Sequence, residues 1–87
     1  MQKEEVVLLH LTLSNIKNIL ENAGYYSPFF KYYEELGVEP GNIHRSKLDH
    51  KKAIFLLCKG IFDIINSKQP KELLENEKIK SLIFAIQ

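Results

Sequence analysis

The chain has 87 residues, a length that allows one folded domain, and its 45% hydrophobic and 26% charged content excludes disorder, collagen and low complexity. Twelve basic against eleven acidic side chains leave a net charge of +1, which excludes a broadly basic nucleic-acid or membrane binder. The single cysteine, Cys58, excludes an intramolecular disulfide and a multi-thiolate zinc site, and no apolar run approaches the roughly 18 residues of a membrane span.

From Lys3 to Ala23, Val6, Leu9, Leu13, Ile16 and Leu20 recur at spacings of three and four, one face of a long helix that Gly24 ends. Val6 to Leu13 also reads as alternation, so a short strand competes there, but the continuing stripe favours the helix. Acids at Glu4 and Glu5 precede this run where a signal peptide would carry basic residues, and with a lone cysteine they lead to a reducing, cytoplasmic setting as the expectation.

Ser27 and Pro28 read as N-cap and first position of a short helix that Gly37 closes. Tyr25, Tyr26, Phe29, Phe30, Tyr32 and Tyr33 crowd six of the chain's nine aromatic residues into the nine positions 25–33. They form either a core plug or a base-stacking platform, and with only Lys31 interleaved the core reading is preferred. Pro40-Gly41 marks a turn. Ser46, with Asp49 three positions on, caps a second long helix reaching about Ser67, whose inward stripe is read as His50, Ile54, Leu57, Cys58, Ile61 and Ile65. Pro70 opens a fourth helix with Leu73, Ile79, Leu82, Ile83 and Ile86 inward, and Asn76 as a potential break. The reading is all-α: one domain over residues 1–87, a compact bundle of about four helices, two long and two short. Val7, Leu11 and Leu56 lie off the inward stripes, a second apolar face that predicts a homodimer.

The small net charge hides a segregation. Residues 1–43 sum to −3, residues 44–60 to +4 and the remainder to zero. The basic segment opens a helix, where free amides and the positive dipole end favour anions, so His44, Arg45, Ser46, Lys47, His50 and Lys51 are the candidate site for a phosphate or carboxylate. Phosphate-bearing ligands, nucleic acid or an acidic protein surface are the partners this chemistry suits. The competing structural reading has Glu34 and Glu35 neutralising these cations. No glycine-rich phosphate loop accompanies them. His10, His44 and His50 could alternatively converge on a divalent transition metal such as zinc, although none stands at the i, i+4 spacing of a helical histidine motif. Cys58 is read as core. No nucleophile elbow or paired-carboxylate spacing stands out, so a non-enzymatic binding or regulatory module without a cofactor is the first expectation, a metal protein the second and a structural dimeric adaptor the third.

The run Ile43-His44-Arg45-Ser46-Lys47-Leu48-Asp49-His50-Lys51-Lys52-Ala53-Ile54-Phe55 resembles the signature of a small archaeal family, uncharacterised protein family fifty-eight. Leu9-His10-Leu11 and Tyr33-Glu34-Glu35-Leu36-Gly37 extend the similarity over most of the chain. The resemblance implies an all-helical archaeal cytoplasmic protein and points to His10, His44, Ser46, Lys47 and His50. It implies no activity, substrate or cofactor.

Overall fold

A computed structural model describes residues 1–67 and 75–85. They form four helices, α1 (Lys3–Asn22), α2 (Pro28–Leu36), α3 (Lys47–Ser67) and α4 (Glu77–Ala85), and among the described residues there is no strand. Val6 to Leu13 is therefore helix. The boundaries fall where local chemistry puts them. The Glu5 carboxylate accepts from the Gln2 amide at 2.9 Å, starting α1, and Gly24 leaves it with φ +92°. Ser27 Oγ accepts from the Phe29 amide at 3.3 Å, Pro28 is the first residue of α2, and Gly37 closes it in the left-handed conformation. Ser46 Oγ accepts from the Asp49 amide at 3.0 Å and opens α3. Asn76 does break the helical run, standing non-helical between a helical Glu75 and α4, and it caps α4 with its side-chain oxygen, which accepts from the Lys78 and Ile79 amides. Pro70, Leu73 and Ile86, and the side chains of Leu82 and Ile83, lie outside the described residues.

Helices α1 and α2 both lie along α3, and α4 lies against α1. Leu20, Phe30, Tyr33, Val38, Leu57 and Ile64 make the centre of the core. Of the crowded aromatics, Tyr25, Phe30 and Tyr33 are core, whereas Tyr26 and Tyr32 face solvent.

The inward stripe of α3 differs from the sequence expectation. His50, Ala53, Leu57, Gly60 and Ile64 are buried, while Cys58 and Ile65 are exposed. Small side chains decided the orientation. A Cβ at Gly60 would overlap the Phe30 ring, so α2 and α3 approach at a distance only glycine permits. Cys58 is thus a surface residue, and the reading of it as core is corrected. In α1, Leu9 is partly exposed, and His10 and Lys17 take buried places on the stripe beside Val6 and Leu20.

Candidate functional site

Three helices deliver one polar side chain each to a single buried point. His10 comes from α1, Tyr33 from α2 and His50 from the first turn of α3; both histidines are 0% exposed. His10 Nδ1 lies 2.8 Å from His50 Nδ1, His10 Nε2 lies 2.8 Å from the Tyr33 hydroxyl, and His50 Nε2 lies 2.9 Å from the Asn42 carbonyl oxygen. The rings meet edge-on, at 89° between His10 and Tyr33 and 63° between the histidines.

With one proton on each ring, the last acceptor sets the direction of this chain. A backbone carbonyl only accepts, so His50 carries that proton on Nε2 and offers Nδ1 as an acceptor. His10 must then donate from Nδ1, which leaves its Nε2 to accept from the Tyr33 O–H. Donation runs one way, from Tyr33 through His10 and His50 to Asn42. Burial, with His50 alongside, pushes the His10 pKa down to about 4, so His10 is neutral at neutral pH. Burial likewise raises the Tyr33 phenol, against the lowering effect of Ser14 and Lys17, and keeps it a donor. Among the described residues no buried side-chain nitrogen or oxygen lacks a partner.

The Tyr33 end meets a polar cleft of about 400 Å³ that includes Ser14, Lys17, Glu34 and Glu39. Lys17 is nearly buried, with its ammonium 2.8 Å from Glu21 and 3.2 Å from Glu34 and 5.8 Å from the ring centres of Phe30 and Tyr33. Burial pulls its pKa down, but the two carboxylates more than reverse this and leave it raised. Glu34 thus serves Lys17.

The basic turn is less convergent than its sequence suggests. Arg45 Nε is 3.1 Å from Asp49 Oδ2, a carboxylate within the same turn. Arg45 first, then the Ser46 hydroxyl and amide against some desolvation, hold the Asp49 carboxyl below its ordinary range. Ser46 caps the helix and His50 turns inward, while His44 and Lys51 are exposed and Lys47 is half-buried. His10 and His50 are brought together; His44 stands apart from them in solvent. Among the described residues no group of three or more His, Cys, Asp or Glu side chains is placed to hold a metal ion.

Residues 1–85 match Uncharacterised protein family UPF0058. The chain belongs to that family. A UPF0058 protein of Archaeoglobus fulgidus is 56% identical over 86 residues, covering 99% of this chain and 92% of the relative. One from Methanocaldococcus jannaschii is 35% identical, covering 95% of this chain and 88% of the relative. The crystal structure of a Halobacterium salinarium protein superposes with a TM-score of 0.69 at 32% identity, over 99% of this chain and 94% of that one. These likenesses agree with the all-helical fold.

In this UPF0058 chain, sequence reasoning placed His10 and His50 among the candidates but missed Tyr33, Asn42 and Lys17. A lysine inside the stripe that runs from Val6 to Leu20 is the signal that could have found Lys17. The Asn42 carbonyl has no side-chain signature at all. Of the residues expected on a second apolar face, Leu11 is exposed and Val7 half-buried, both bordering an apolar hollow of about 670 Å³ with Leu8, Pro40 and Ile43. Leu56 is half-buried against the core and borders a second groove, of about 450 Å³, between α2 and α3. Larger side chains stand out beyond these: Leu48, Phe55, Phe62 and Ile65 are each more than half exposed along α3. No helix among the described residues is long and apolar enough to cross a membrane.

Proposed function

We propose that the chain is a non-enzymatic helical interaction module that works through the outer face of α3. The observation that carries this reading is the row Leu48, Phe55, Phe62 and Ile65, with Phe55 61% and Phe62 64% exposed. Apolar side chains aligned on one helix face, rather than scattered, mark a surface that a partner covers. The buried histidine chain supports a structural role over a catalytic one, because both rings spend both nitrogens on protein partners. An anion site at the basic turn has less support: Arg45 is held by Asp49, Ser46 is used as a cap, and Lys47, Lys51 and His44 remain for a ligand. A metal site on His10, His44 and His50 has least, since His10 and His50 already bond each other and His44 stands apart from them.

The test is the double variant Phe55→Gln, Phe62→Gln. An interaction face predicts native helical content by circular dichroism and lower binding of a hydrophobic dye than the parent chain. Loss of helical content would show that this face holds the single chain together, and the reading would be abandoned.

A further inference from the structure

Helix α3 carries two seams with heptad spacing. His50, Ala53, Leu57, Gly60 and Ile64 follow one another at intervals of three and four and face the core. Leu48, Lys51, Phe55, Cys58, Phe62 and Ile65 follow the same intervals and are all exposed. At ~100° per residue, Phe55 lies about 200° from Ala53, so the seams occupy opposite faces of one helix. A strict three-four spacing is what a second helix needs to lie along the seam, and it extends for about 26 Å at ~1.5 Å rise per residue.

The outer seam contains both a knob and a hole. The groove of about 450 Å³ is lined by Leu36, Leu48, Lys51, Lys52, Phe55 and Leu56, at the N-terminal part of the seam. Phe62, an aromatic side chain projecting into solvent, stands at the C-terminal part. In a two-fold pair with antiparallel α3 helices, Leu48 lies opposite Ile65 of the other copy, and Lys51 and the groove lie opposite its Phe62. Each copy then offers its knob to the hole of the other, as an isologous interface requires.

Charge selects the same orientation. Residues 47–59 hold Lys47, Lys51, Lys52 and Lys59 against Asp49 alone, whereas Asp63 is the charged residue of 60–67. Parallel helices would stack the lysines of one copy on those of the other, with Lys51 meeting itself in the seam. Antiparallel helices set Lys51 against an aromatic ring, an arrangement Lys59 already makes with Phe29 and Phe55 at 5.6 and 5.9 Å. Antiparallel packing also opposes the two helix dipoles.

We infer that a second copy of this chain covers the outer seam of α3, in an antiparallel two-fold dimer in which Phe62 of each copy fills the Leu36–Leu48–Phe55–Leu56 groove of the other. The inference rests on the reading of this face as an interaction surface and names its partner.

Sedimentation equilibrium on the unmodified chain comes first. A dimer is expected at micromolar concentration, and a monomer throughout would overturn the inference while leaving the face open to a different partner. Phe62→Glu is expected to shift the chain to monomer with unchanged circular dichroism, and Phe62→Leu to retain the dimer; a Phe62→Glu variant that stays folded and dimeric would overturn the placement. Orientation is read by a short bis-maleimide on Cys58→Ser variants. With Leu48→Cys alone no cross-linked dimer is expected, because the two sites lie at opposite ends. With Leu48→Cys and Ile65→Cys together, a cross-linked dimer is expected. Cross-linking by Leu48→Cys alone would establish parallel helices and overturn the antiparallel arrangement.

Discussion

Lowering the pH from about 7.5 to about 5 perturbs the buried histidine chain directly, because His10 gains a proton readily in the unfolded chain and resists it in the folded one. Its folded pKa is about 4 against an ordinary 6.5, since burial first and His50 second disfavour the imidazolium. Between those values the unfolded chain binds more protons, so stability rises with pH. The contribution is fully present above about pH 6.5 and is lost as the pH falls toward about 4. At ~1.36 kcal/mol per pH unit the whole span amounts to about 3.4 kcal/mol, of which about 2 kcal/mol is gone near pH 5. Urea denaturation at several pH values, for the native chain and for His10→Leu, measures this term with the other titrating groups in common. His10→Leu should be less stable at neutral pH, since Tyr33 and His50 lose a partner, yet its stability should fall by about 2 kcal/mol less on acidification to near pH 5. Parallel pH curves for the two proteins would refute the reasoning. Nitrogen NMR of the imidazoles supplies a second check: His10 protonated on Nδ1 and His50 on Nε2. His10 carrying its proton on Nε2 would contradict the direction of the chain.

Gly60→Ala should lower the thermal midpoint by the equivalent of about 1–3 kcal/mol, because the new methyl group overlaps the Phe30 ring, and Phe30→Leu should recover part of that loss in the double variant. Ser27→Ala removes both the α2 cap and a 2.8 Å hydrogen bond to Asp63 on α3, so about 1–2 kcal/mol should be lost in chemical denaturation, and Ser27→Thr should restore most of it. Lys17→Ala should cost more than Lys17→Met in the same assay, because Met keeps the bulk of a side chain that is 6% exposed, whereas Ala loses it along with the charge held by Glu21 and Glu34.

The ends of the helices were legible because local groups decide them. Gly24, Ser27-Pro28, Gly37 and Ser46 act within a few residues of themselves and did in the fold what they promised in the sequence. The pairing of His10 with His50 joins positions forty residues apart and leaves no spacing to read. What could be read was that each histidine sat on an apolar stripe, a place where an imidazole needs a partner. The second acceptor is a main-chain carbonyl, which no residue type announces. Lys17 was hidden for the opposite reason: its partners Glu21 and Glu34 are visible, but only the packed aromatic rings above it explain why a lysine lies inside.

The orientation of α3 was the larger misreading, and its cause bears on function. Residues 53–58 run Ala-Ile-Phe-Leu-Leu-Cys, apolar on every side, so periodicity alone could not say which face turns inward. Ranking faces by hydrophobic bulk favours the larger side chains, yet the core took Ala53 and Gly60 and left Phe55 and Phe62 in solvent. Close approach of α2 explains the first half of that choice, since the Phe30 ring occupies the space above Gly60. It does not explain why the outer face keeps aromatic residues, each forgoing roughly 1.5–3 kcal/mol of burial. A surface under no demand beyond solubility would carry Lys or Glu at those positions, as much of this chain's surface does. Two aromatic residues seven apart, in register with Leu48, Cys58 and Ile65, make sense on a helix that is packed on both sides, once by its own chain and once by another.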